Sequence, residues 1–259
     1  MSTAVRSRRV PVPVIAGIAA AWALAAMAEA TGTGRLLHHD TLIEGGLPFW
    51  VALGLFVVAW QAMIAAMMLP SSLPFVRLFA VTSRTHARSG LEMAAFLGGY
   101  ALVWTAFGVA AFGGDFFVHH LVDRTPWLAA HPWLIAGSVL AGAGLFQFSS
   151  LKERCLEACR HPGAYLLRFY RGGGPAGAFR LGLGHGLFCM GCCWALMLAG
   201  FAAGVANLWW MVALAALMYF EKVQRSGARS VPVTGFVFLA MSALVFAHPA
   251  WLPAAFQAA

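Results

Sequence analysis

The chain is predicted to be all-α, a polytopic transmembrane helix bundle of about seven spans with its N-terminus inside and its C-terminus outside. Three observations predict this. The 259 residues are 61% hydrophobic and only 10% charged, too poor in charge for a soluble domain of that length. Apolar runs long enough to cross a bilayer recur along the whole chain. Lys and Arg are also sorted to one side of those runs. No soluble-domain linker is evident, so 1–259 reads as one transmembrane helical domain.

In order, Arg6, Arg8 and Arg9 precede a first span at about 10–28. Ala26-Met27-Ala28 resembles a signal-peptidase site, but the apolar run exceeds a usual signal core and is read as a retained span. The second span covers about 48–69, with Pro70 marking the exit. A loop with Arg77, Arg84, His86 and Arg88 leads to the third span at 90–112. Asp115, His119, His120, Asp123 and Arg124 are then placed in a loop before the fourth span at 133–148. Segment 149–180 is cytoplasmic and carries six basic residues, Cys155, Cys159, His161 and a Gly172–Gly174 hinge. Its AYLLRFYR stretch has the aromatic, aliphatic and basic mixture of an interfacial helix. The last spans are 181–203, 206–220 and 231–247.

Threaded this way, every one of the 17 Lys and Arg except Arg35 and Arg124 falls on one side, which is assigned to the cytoplasm. The net charge of +8 is thereby explained by orientation, and nucleic acid is not expected as a partner. The implied location is the cell's inner, cytoplasmic membrane, crossed several times. Neither a Walker A loop nor a dinucleotide fingerprint is present, which excludes transport driven by this chain's own ATP hydrolysis. The five cysteines do not form a secreted disulfide pattern and point to metal or thiol chemistry.

Residues 181–200, LGLGHGLFCMGCCWALMLAG, are the focus. This uncharged stretch places His185, Cys189, Cys192, Cys193 and Met197 on one side of a helix at roughly 100° per residue. Gly182, Gly186 and Gly200 share that arc and would let a neighbouring helix come close. Polar groups are expensive in hydrocarbon and are usually kept there for function. A lone Cys would pass as a small buried hydrophobe; three within five residues beside a His suggest ligands.

Several phrases together resemble a family of predicted metal-binding integral membrane proteins: MIAAMMLPS at 63–71, GYALVWTAF at 99–107, LKERCLEACRHP at 151–162, GHGLFCMGCCWALM at 184–197 and EK at 221–222. The resemblance spans roughly residues 50–222 and implies a helical inner-membrane protein with a metal site.

Depth, at ~1.5 Å per residue, places His185, Met63, Met67 and Met218 in one layer, with Cys189 just above and Cys192, Cys193 and Met197 continuing outward. Met63 and Met67 are four apart and share a helix face, although Met also serves as ordinary apolar filling. Thiolate and thioether donors favour soft ions, above all Cu(I). The expected metal ligands are therefore His185, Cys189, Cys192, Cys193, Met63, Met67 and Met197, with Cys155, Cys159 and His161 as a cytoplasmic relay. Haem is the alternative cofactor, without a C-x-x-C-H attachment motif. The expected function is Cu(I) handling by transport or by delivery to a partner. That partner would be a metallochaperone or a membrane enzyme, with the lipid bilayer as surroundings. The alternatives are a membrane thiol–disulfide oxidoreductase using Cys189 and Cys192, and an accessory metal-site subunit of a membrane enzyme.

Overall fold

The computed structural model describes residues 10–33, 46–202 and 208–249. Among them the chain is all-helical: α1 Val12–Thr31, α2 Phe49–Thr82, α3 Ser89–Arg124, α4 Pro126–Ala129, α5 Trp133–Phe146, α6 Ser150–Arg160, α7 Pro162–Phe169, α8 Gly174–Ala202, α9 Leu208–Val223 and α10 Gly227–Ala247. Five of these, α1, α2, α3, α8 and α10, are long and apolar enough to cross a membrane. A sixth crossing exists if α5 and α6, bent by 63° at their junction, count as one broken span. The 16 described residues of α9 fall short of the ~20 that a hydrocarbon core of ~30 Å needs.

Two helices run well past their expected ends. Helix α2 does not stop at Pro70 but continues through Pro70 and Pro74 to Thr82. The stretch packs against its neighbours through the buried side chains of Ser71, Ser72, Phe75 and Val76. Those are the circumstances in which membrane helices tolerate proline. Helix α3 likewise continues through Asp115, His119, His120 and Asp123 to Arg124. An apolar run measures the crossing, whereas a helix persists until its backbone is interrupted.

The bundle is held at close range by glycine. A Cβ on Gly182 of α8 would run into the Phe96 carbonyl of α3, and one on Gly99 of α3 into the Phe179 carbonyl of α8. Gly186 lies against Val103 and Tyr100, and Gly200 against Leu214, so all three glycines of the expected arc admit a neighbour. This backbone proximity makes α3 and α8 the central pair. Helices α1 and α9 pack on α2, and α10 packs on α5.

Segment 149–180 forms two amphipathic helices that fold back onto the bundle. Ser149 caps α6 by accepting the Lys152 amide, and α6 lies along α8. Tyr165 and Leu166 of α7 are buried with Phe75 and Phe79 of α2, Phe96 of α3 and Val14 of α1. Gly172, Gly173 and Gly174 all have positive φ (77°, 94°, 61°), a left-handed path that glycine follows without steric cost. They turn the chain from α7 into α8.

Candidate metal site

The three central thiols face inward. Cys189, Cys192 and Cys193 are buried, in the same core cluster as Met63, Met67, Met197 and Met218. On α8 they meet Tyr100 of α3 and Lys222 of α9 on one flank and Cys159 of α6 on the other.

Helix α6 delivers the further sulfurs. Cys159 Sγ lies 4.0 Å from Cys192 Sγ, and Cys192 Sγ lies 3.4 Å from Cys193 Sγ. Cys155 sits directly over Gly191, whose absent Cβ would come within 2.6 Å of its sulfur. The cysteines expected to wait beneath the bundle are thus packed beside the middle of α8. His161 remains exposed and lines clefts of about 460 Å³ on both flanks of α6.

Cys189 has other company. Its sulfur is 3.1 Å from the Tyr100 hydroxyl and accepts from Lys222 Nζ at 3.1 Å. Lys222 also donates to Ser71 Oγ at 3.2 Å. The Cys192 thiol donates to the Cys189 carbonyl at 3.1 Å. The sulfurs of Cys189 and Cys192 thus have different partners, an arrangement that does not favour the alternative of a Cys189–Cys192 dithiol.

His185 stands apart from the thioethers. Its ring stacks on Phe75 at 4.3 Å and on Tyr100 at 5.6 Å, with Phe96 at 6.0 Å. Phe75 is eight residues beyond Met67 on α2, ~12 Å along the helix, so His185 does not share the Met67 layer. Its Nε2 is buried without a partner.

A second polar layer adjoins the thiols. Lys152 Nζ pairs with Glu221 Oε2 at 2.7 Å, both essentially inaccessible. Arg160 donates to the Glu221 and Arg225 carbonyls at the end of α9. These residues, with Lys222, Tyr100 and Ser71, were not among the expected site residues. The signal was present: LKERC and EK lie in the phrases that carry the family resemblance, but their cations were absorbed into the orientation count.

Among the described residues no three His, Cys, Asp or Glu side chains are grouped so as to hold a metal ion. What the fold provides is pairs of sulfurs. The midpoint of Cys159 and Cys192 is 2.0 Å from each sulfur, half of 4.0 Å, close to the ~2.3 Å of a metal–thiolate bond. Such a pair offers two soft sulfur donors.

No curated protein and no solved structure matches the chain. The family model PpoB2, described as a copper chaperone, matches residues 57–245. That interval runs from within α2 through most of α10 and includes every cysteine of the chain together with Lys152 and Lys222. The chain thus belongs to the PpoB2 copper chaperone family.

Proposed function

We propose that this protein holds Cu(I) inside the membrane bundle and delivers it to a partner, with the thiols of Cys159, Cys192 and Cys193 as the principal ligands. The observation that carries this reading is the 4.0 Å approach of Cys159 to Cys192, which joins the peripheral helix α6 to the central helix α8. Cu(I) is favoured because the donors are sulfur and the surroundings are thioether-rich. Met63, Met67 and Met197, buried in the same core cluster, would line the ion's path along α8. Cys155 and His161 would complete the relay, with the clefts beside α6 as its approach. Cys189 is a secondary ligand, reached only when Lys222 moves aside. His185 supports the α2–α3–α8 contact and lies outside the thiol group.

The uneven charge distribution supports an orientation in which α6, α7 and the α2–α3 turn face the cytoplasm of a cell whose inner membrane houses the protein. Copper would then pass between the cytoplasmic relay and the bundle interior. The receiving partner is a metallochaperone or a membrane enzyme that needs copper.

The test is Cu(I) stoichiometry of the purified full chain under reducing conditions. Wild type is expected to retain one Cu(I) against a competing chromophoric chelator, Cys159→Ser and Cys192→Ser to lose at least tenfold in affinity, and Cys189→Ser to lose less. Equal, negligible binding in all four proteins would defeat the proposal.

A further inference from the structure

We infer that Lys222 is a specificity-determining residue: its ammonium, buried against the thiols, leaves room for one added positive charge and turns away divalent ions. The inference rests on the copper reading above and adds which ions the site refuses.

Thiolate donors alone do not make that choice. Cysteine sulfurs also bind Zn(II), so a cluster of buried thiols gains from a further feature that keeps zinc out. Lys222 supplies one. Its side chain is 5% exposed, and its Nζ is held by Cys189 Sγ and Ser71 Oγ. Cys189 is one helical turn from Cys192 and Cys193 on α8, which brings the ammonium into their neighbourhood. Among the described residues no carboxylate is paired with it. Glu221, its neighbour in sequence, is engaged instead by Lys152, since adjacent positions on a helix point in different directions.

A buried ammonium without a carboxylate is costly unless something negative or strongly polar compensates it. Here that partner is sulfur. The same ammonium repels an incoming cation, and in a low-dielectric interior the repulsion scales with the ion's charge. A divalent ion meets twice the repulsion that Cu(I) does. Lys222 lies at the end of α9, so its long side chain can withdraw toward the headgroups when one charge replaces another.

The experiment measures Zn(II) and Cu(I) affinities of the reduced, purified full chain by chelator competition and takes their ratio. Lys222→Met and Lys222→Gln are expected to raise the Zn(II)-to-Cu(I) ratio at least tenfold, chiefly by tightening Zn(II). Lys222→Arg, which keeps the charge, is expected to hold the wild-type ratio. Ser71→Asp, which gives the ammonium a carboxylate, is expected to shift the ratio as the neutral variants do and keeps the test open if those fail to fold. A ratio unchanged in the folded neutral variants and in Ser71→Asp overturns the role of Lys222. Absence of Cu(I) binding in wild type overturns the copper reading itself.

Discussion

Cys159 on α6 and Cys192 on α8 face each other across 4.0 Å, 33 residues apart in sequence. This contact ties an amphipathic surface helix to the most buried helix of the bundle. It also makes a direct prediction. Mild oxidation with diamide should give a Cys159–Cys192 disulfide as the main product, read by mass spectrometry of the unreduced protein. Cys189 should stay out of disulfides, because its sulfur faces Tyr100 and Lys222. A dominant Cys189–Cys192 bond would contradict the arrangement.

Gly191 controls how closely α6 approaches. A methyl group there would sit 2.6 Å from Cys155 Sγ, nearer than packed atoms tolerate, so the Cys155 side chain or α6 itself must shift. Overpacking of this kind costs about 1–3 kcal/mol. Gly191→Ala is therefore expected to lower the melting temperature in detergent and to weaken Cu(I) binding with it. Gly98→Ala, on an open face of α3 where nothing lies within 4 Å, serves as the control and should leave both measurements unchanged or slightly improved by helix propensity.

The contrast between those glycines shows what could be read in advance. The inward turn of Cys189, Cys192 and Cys193, and the close approach at Gly182, Gly186 and Gly200, follow from helical periodicity in one segment, a local property. The persistence of α2 through Pro70 and Pro74 does not, because it depends on how the surrounding helices pack on the segment. The same holds for depth. Counting depth from the expected span ends puts His185 level with Met67, yet it stacks on Phe75, because α2 continues past the expected exit. Lys222 and Lys152 were hidden for another reason. A cation at the edge of an apolar run looks alike whether it faces headgroups or thiols, and only the packing of α6 and α9 against α8 separates the two.

The Lys152–Glu221 pair lends itself to a double-mutant cycle. Removing one partner of a fully buried ion pair strands the other and costs about 3–5 kcal/mol. Lys152→Met and Glu221→Leu should each be strongly destabilised. The Lys152→Met/Glu221→Leu double variant should recover most of the loss, because an apolar pair of similar volume removes both desolvation penalties. Thermal melting in detergent reads the cycle. Additive losses would mean that the two side chains do not act on each other.

His185 offers the sharpest separation of packing from ligation. Its ring lies among Phe75, Phe96 and Tyr100, and its buried Nε2 has no hydrogen-bond partner. An unsatisfied buried polar atom costs about 1–3 kcal/mol, while a phenyl ring would keep the stacking without that cost. His185→Phe is accordingly expected to be at least as stable as wild type, and to retain full Cu(I) stoichiometry where Cys192→Ser does not. Loss of Cu(I) from a stable His185→Phe protein would bring the imidazole into the metal site.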